Sequence, residues 1–206
     1  MKFRAAVWCG LVASSLVVSA QGVPPSAQAS SRAHKKTSPA APALPTGAIA
    51  DGVYHNPFFG FSYKFPYGWV DRTDTMKQGD EAEKSMVLLA VFERPPEVTA
   101  EGVNSGVVIA AETASSYPGL KTAADYFGPV REVAEAKGFK AANDPYEFSA
   151  GGKQVVREDF TNDKGYQASL AWLSKGYVVS VTLIGDNEDG AQELIEGLKF
   201  TSARQK

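Results

Sequence analysis

The sequence predicts an α+β fold, an antiparallel β-sheet flanked by helices, behind an export signal and a spacer. Three observations predict it. Strand-like segments between residues 61 and 113 precede one helical pattern, further strands follow, and a second helical pattern comes last; that order suits a single antiparallel sheet with helices packed on it. Hairpin turn signals, Asn162-Asp163-Lys164-Gly165 and Ser174-Lys175-Gly176, separate the later strands. The apolar residues change period from two in the strands to helical spacing in the two helices.

The chain begins with positive charge at Lys2 and Arg4, continues as an apolar run from Ala5 to Val18, and reaches the small-x-small triplet Val18-Ser19-Ala20. These are the three parts of a cleavable secretory signal, 1–20, with cleavage expected after Ala20. The run falls short of the roughly 20 apolar residues a membrane span needs, so no transmembrane anchor is expected in the mature chain. The single cysteine, Cys9, lies inside this run. It sits too early for a lipoprotein anchor, and cleavage leaves a mature chain without disulfide or thiol chemistry. Residues 21–50 are rich in Pro, Ala and Ser, lack aromatics and carry Arg32, His34, Lys35 and Lys36. This composition reads as a disordered, semi-stiff linker. A single domain is expected over 51–206, large enough to rest on its hydrophobic core alone.

The first strand is expected over Phe61 to Phe65, with Phe61, Tyr63 and Phe65 on one face and Ser62 and Lys64 on the other. Asn56-Pro57 and Gly60 lead into it, Pro66 ends it, and Gly68 lets Trp69 turn under the sheet. The aromatics read as core; the competing reading is a ligand-stacking platform. Ser85 to Arg94 reads as a central strand, with Met86, Leu88, Ala90 and Phe92 on one face and Val87, Leu89 and Val91 on the other. Ser105 to Thr113 reads as its neighbour. Thr122 to Lys137 reads as a helix with Thr122 and Asp125 as a capping box. Gly128-Pro129 predicts a kink or two short helices there. Lys153 to Ile184 reads as a three-stranded meander that places Tyr166, Ala168, Leu170 and Trp172 together, and likewise Tyr177, Val179, Val181 and Leu183. Asp186 or Asn187 is expected to cap a last helix with an apolar stripe of Ala191, Leu194, Ile195 and Leu198.

The stretch Tyr54-x-Asn56-x-x-x-Gly60-Phe61-x-Tyr63-x-Phe65-Pro66-x-Gly68-Trp69 resembles the opening of PsbP-like domains, and the meander and closing helix are compatible with the rest of that domain. The resemblance spans about Gly52 to Phe200. It implies an α-β-α sandwich and a non-enzymatic binding or assembly role. It supplies no metal ligands to carry over, because the mature chain holds only His34 and His55.

Charge and residue types narrow the function further. All 23 acids follow residue 50 while five of the 21 bases precede it, which leaves the domain at a formal −7. That argues against nucleic acid, where affinity comes chiefly from Lys and Arg on phosphates. No Gly-x-Ser-x-Gly accompanies His55, which reads as a strand-edge residue, and zinc ligands are lacking. No catalytic, cofactor-binding or metal residue is assigned, and no cofactor is expected. Asp80-Glu81-x-Glu83 and Asp186-Asn187-Glu188-Asp189-Gly190 are the two acidic clusters to weigh as calcium loops. The second lacks the alternation such a loop requires and reads as a helix start. The expected function is an exported, non-enzymatic binding or assembly-accessory protein, periplasmic or extracellular, whose partner is an envelope protein or component. The alternatives are a small hydrolase using two carboxylates, and a small-molecule carrier with a pocket between sheet and helix.

Overall fold

The computed structural model describes residues 46–201 except 78–84, 96 and 99. The predicted signal segment, most of the predicted linker and the cluster Asp80-Glu81-x-Glu83 lie outside the described residues. In chain order the elements begin with β1 (Ala48–Ala50), β2 (Val53–Asn56), β3 (Phe61–Lys64), β4 (Val70–Asp71), the single-turn α1 (Thr73–Met76), β5 (Ser85–Phe92) and β6 (Gly106–Thr113). They continue with α2 (Phe127–Ala136), β7 (Lys140–Ala141), β8 (Tyr146–Ala150), β9 (Lys153–Thr161), β10 (Tyr166–Ser174) and β11 (Tyr177–Gly185). The last two are α3 (Glu188–Ile195) and β12 (Leu198–Phe200). The first strand starts at Ala48, ahead of the expected domain boundary at Asp51.

The fold is α+β and antiparallel, but two sheets replace the single sheet expected. The small one runs β1-β2-β3-β12, and the large one runs β4-β5-β6-β11-β10-β9-β7, with β8 also paired to β9. In β3 the predicted alternation holds, with Phe61 and Tyr63 buried and Lys64 exposed. The small sheet presses Tyr54, Phe61, Tyr63 and Leu198 into one core with Ile109, Leu170, Trp172 and Val181 of the large sheet. Phe61 meets Trp172 edge to face at 5.6 Å between ring centroids, a geometry the ring quadrupoles favour.

Helix α3 contributes Ala191, Leu194 and Ile195 to this core. Asn187 caps it, its side chain accepting from the Gly190 amide at 2.9 Å, and this removes one unpaired donor of the first turn. Leu198 does not continue the helical stripe as expected; it lies in β12, paired with Tyr63. The cause is Gly197, where a Cβ would stand 2.3 Å from the Lys64 carbonyl oxygen. Only glycine lets the chain leave the helix this close to β3. The turn between β8 and β9 also abuts β12. The Gly151 carbonyl there accepts from the Phe200 amide at 3.2 Å.

The opposite face of the large sheet carries α2. The Thr122–Asp125 capping box forms, residues 123–126 make a 3-10 turn, and α2 follows. The predicted interruption thus falls at this junction, since Pro129 has no N–H to bond the carbonyl four residues back. Tyr126 and Phe127 pack on Ala171 and Val178. In β5 the predicted faces shift. Register slips between Val87 and Leu89, so Met86 pairs with Ala111 while Leu89 pairs with Ile109. This bulge puts Met86 on the face of Leu89 and Val91 rather than opposite them.

Tyr63 is fully buried, and its hydroxyl donates to the Leu194 carbonyl at 2.9 Å, an oxygen in the last turn of α3 that also accepts from the Gly197 amide at 3.2 Å. Replacing Tyr63 by Phe is expected to cost about 0.5–1.5 kcal/mol. Urea unfolding should show a lower midpoint at unchanged slope.

Candidate functional site

The residues singled out by sequence disperse. His55 is exposed on β2, which pairs with both β1 and β3, so it is an interior-strand residue on the outer face rather than a strand-edge one. Of the aromatic stretch, Tyr54, Phe59, Phe61 and Tyr63 are core, Trp69 packs half-buried against it, and Tyr67 is wholly exposed in the turn after Pro66. At Asp186 to Gly190 two of the polar side chains have a local structural use. Asn187 caps α3, and the Asp186 carboxylate accepts from the Val103 amide at 3.2 Å.

The sequence reading missed a run of three buried charges, Arg157, Glu158 and Asp159, at 3%, 0% and 1% exposure. Alternation along β9 sends Arg157 and Asp159 to the α3 face and Glu158 to the α2 face. Arg157 Nε donates to Asp159 Oδ1 at 2.8 Å, and its terminal nitrogen donates to Gln192 Oε1 of α3 at 2.8 Å. Its guanidinium also lies 4.8 Å from the Phe148 ring centroid. Burial opposes its charge, and Asp159 more than offsets this, holding its pKa above the ordinary value. Asp159 also accepts from Asn143 Nδ2 at 2.9 Å and from the Tyr146 hydroxyl at 3.2 Å. Nearby, burial first and then the Asp159 charge push the Tyr166 phenol up to about 12.

On the other face Arg131 of α2 donates through Nε to Glu158 Oε1 at 2.8 Å, and through a terminal nitrogen to the exposed Asp144 at 3.1 Å. Glu158 Oε2 is buried with no hydrogen-bond donor among the described residues. Burial raises the Glu158 pKa, and Arg131 only partly opposes it. A third buried acid, Glu112 of β6, takes the hydroxyls of Tyr117 and Tyr126, the latter at 2.8 Å. Burial lifts both phenols well above the ordinary tyrosine value. Buried acids held by such distant partners leave no sequence spacing. The one signal available was Arg-Glu-Asp between Val155-Val156 and Phe160.

One concavity lies where β9 and β10 part. Their register ends at Ala171↔Val156, although β9 extends back to Lys153 and β10 onward to Ser174. A slot of about 220 Å³ opens there, walled by Ala123, Val156, Ala171 and Leu173, with Glu147 and Gln154 at its rim. Val155 and Trp172 also border it, yet both belong to the core on the opposite face, so the slot reaches between the strands. The Trp172 indole N–H is buried without an acceptor among the described residues. Lys153 also borders the slot and sits over the Trp172 and Phe200 rings at 5.4 and 5.0 Å, and partial burial lowers its pKa.

With this geometry in place, comparison with known proteins gives structural likenesses at low sequence identity. The fold resembles that of a cyanobacterial PsbP. The solution structure of PsbP (CyanoP) from Synechocystis sp. PCC 6803 aligns over 75% of this chain and 96% of its own, at 13% sequence identity and a TM-score of 0.47. No family model matches the chain, and no curated protein does. Among the described residues no helix is long and apolar enough to cross a membrane.

The Glu158 arrangement has a signed pH consequence. A carboxyl with a higher pKa in the folded than in the unfolded state binds protons more readily when folded. Its contribution to stability is therefore lost as pH rises from the ordinary carboxylate value through the raised one. Glu158→Gln removes this titration while Arg131 keeps Asp144 and solvent. In chemical denaturation at pH 7 and pH 5, the stability of the wild type relative to Glu158→Gln should rise as the pH falls. A difference independent of pH would contradict the assignment.

Proposed function

We propose that residues 51–206 form an exported, non-enzymatic binding or assembly-accessory domain whose partner is an envelope protein or component. The observation that carries this reading is the use made of the buried acids. Glu112 holds two phenols, Glu158 holds α2 through Arg131, and Asp159 holds Arg157, Asn143 and Tyr146. Each serves the packing of the fold, and none borders the slot.

A two-carboxylate hydrolase needs acids facing one another across a cleft at roughly 5–9.5 Å. The slot presents one acid, Glu147. A small-molecule carrier would use a pocket of about 300–1,000 Å³, larger than this slot. The charged start, apolar run and small-x-small exit of the first twenty residues support export, and the formal −7 of the domain supports a partner other than nucleic acid.

Cross-linking in intact cells, followed by recovery of the tagged full-length chain, should yield a stoichiometric envelope partner. The recovered chain should begin at Gln21. Recovery of monomer alone, or of a chain still beginning at Met1, would contradict the proposal.

A further inference from the structure

The slot between β9 and β10 differs from an ordinary surface dimple in what its walls expose. Both neighbouring hairpins fix which backbone groups point into it. Ser174 and Tyr177 flank the two-residue turn Lys175-Gly176, and Ala150 and Lys153 flank Gly151-Gly152. All four turn residues have positive φ, as a type I′ turn requires. Residues flanking such a turn form a hydrogen-bonded pair, and along each strand the bonding edge then alternates residue by residue. Counting from Ser174, the polar backbone groups of Trp172 face β11 and those of Leu173 face β9. Counting from Lys153, those of Val155 face β8 and those of Gln154 face β10. Leu173 and Gln154 would be the next bonded pair after Ala171↔Val156, and that pair is missing from the ladder. Two N–H and two C=O groups therefore line the slot without a ladder partner, in extended backbone held rigid from the outer side.

We propose that this slot docks an extended, basic–apolar peptide segment of a partner protein. Alternating donors and acceptors on extended chain are matched by another extended backbone, the mode by which peptides add to exposed strand edges. The floor of Val156, Ala171, Ala123 and the exposed Leu173 suits a small aliphatic side chain. Charge selects the flanking residue. Glu147 is exposed at the rim and has no ion-pair partner among the described residues, while Lys153, the base that also borders the slot, has its ammonium held over the Trp172 and Phe200 rings. A Lys or Arg on the incoming segment complements that acid and the net negative domain.

This inference deepens the binding reading above and rests on it. The test uses the exported chain, residues 21–206, with amide hydrogen exchange read by NMR. In the free protein the amides of Leu173 and Gln154 should exchange at least about tenfold faster than those of Ala171 and Val156. A blocked peptide alternating Lys and Val should slow both by about tenfold, and a Glu/Val control should not. Glu147→Gln, at an exposed position, should keep the fold and weaken the Lys/Val peptide about threefold. Equal protection of all four amides in the free protein, or equal action of the two peptides, would overturn the proposal. So would protection that grows with protein concentration alone, since the occupant would then be a second copy. If a partner is recovered from the envelope while these two amides stay unaffected by the Lys/Val peptide, the binding reading stands and the slot assignment fails.

Discussion

Arg157, Glu158 and Asp159 occupy successive positions in the middle of β9, each almost wholly removed from solvent. Taking a charge out of water costs several kcal/mol unless a partner and further hydrogen bonds compensate. The architecture around β9 reads as the set of those compensations. Because a strand alternates its faces, three adjacent charges demand partners on both sides of the sheet. Gln192 of α3, Asn143 and Tyr146 answer on one side, and Arg131 of α2 on the other. The covering layers are thus held by directional bonds as well as by apolar contact. Directional bonds fix a position that non-directional burial leaves loose.

The apolar side supplies the bulk of the stabilisation. Two sheets share one core, with Phe61 and Tyr63 of the small sheet set among the rings and aliphatics of the large one. Gly197 and Gly151 admit close backbone approach where β12 joins the two. The same strand that anchors the helices parts from β10 at its start. The site with unpaired backbone therefore sits at the end of an otherwise over-determined element. Rigid walls around an open edge reduce the ordering cost of binding.

Much of this was legible in the chain. The meander, the alternation of β3, the Thr122–Asp125 cap and the Asn187 cap each follow from local chemistry that packing does not override. What escaped was set at a distance. Leu198 has helical spacing from Leu194 and Ile195, and only the approach of Lys64 to Gly197 turns it into strand. The strand β8 carries Glu147 between Tyr146 and Phe148, with Ser149 after them, and pairs along the edge that β9 offers. The bulge at β5 lies in an unbroken apolar run, where either phase looks equally buried. The parting of β9 from β10 is invisible for the same reason, since both strands continue in sequence after their pairing stops. Buried acids and their partners are 13 to 27 residues apart in several cases, which no spacing rule reaches.

The charges of β9 hold the two covering layers separately, one face each. Native-state hydrogen exchange on Arg157→Met tests it most directly, with β10 core amides as the internal reference. Residues 141–150 and α3 should lose protection relative to β10, while α2, tied through Glu158, keeps its own. Loss of protection in α2 equal to that in α3, or an α3 that is unaffected, would contradict it.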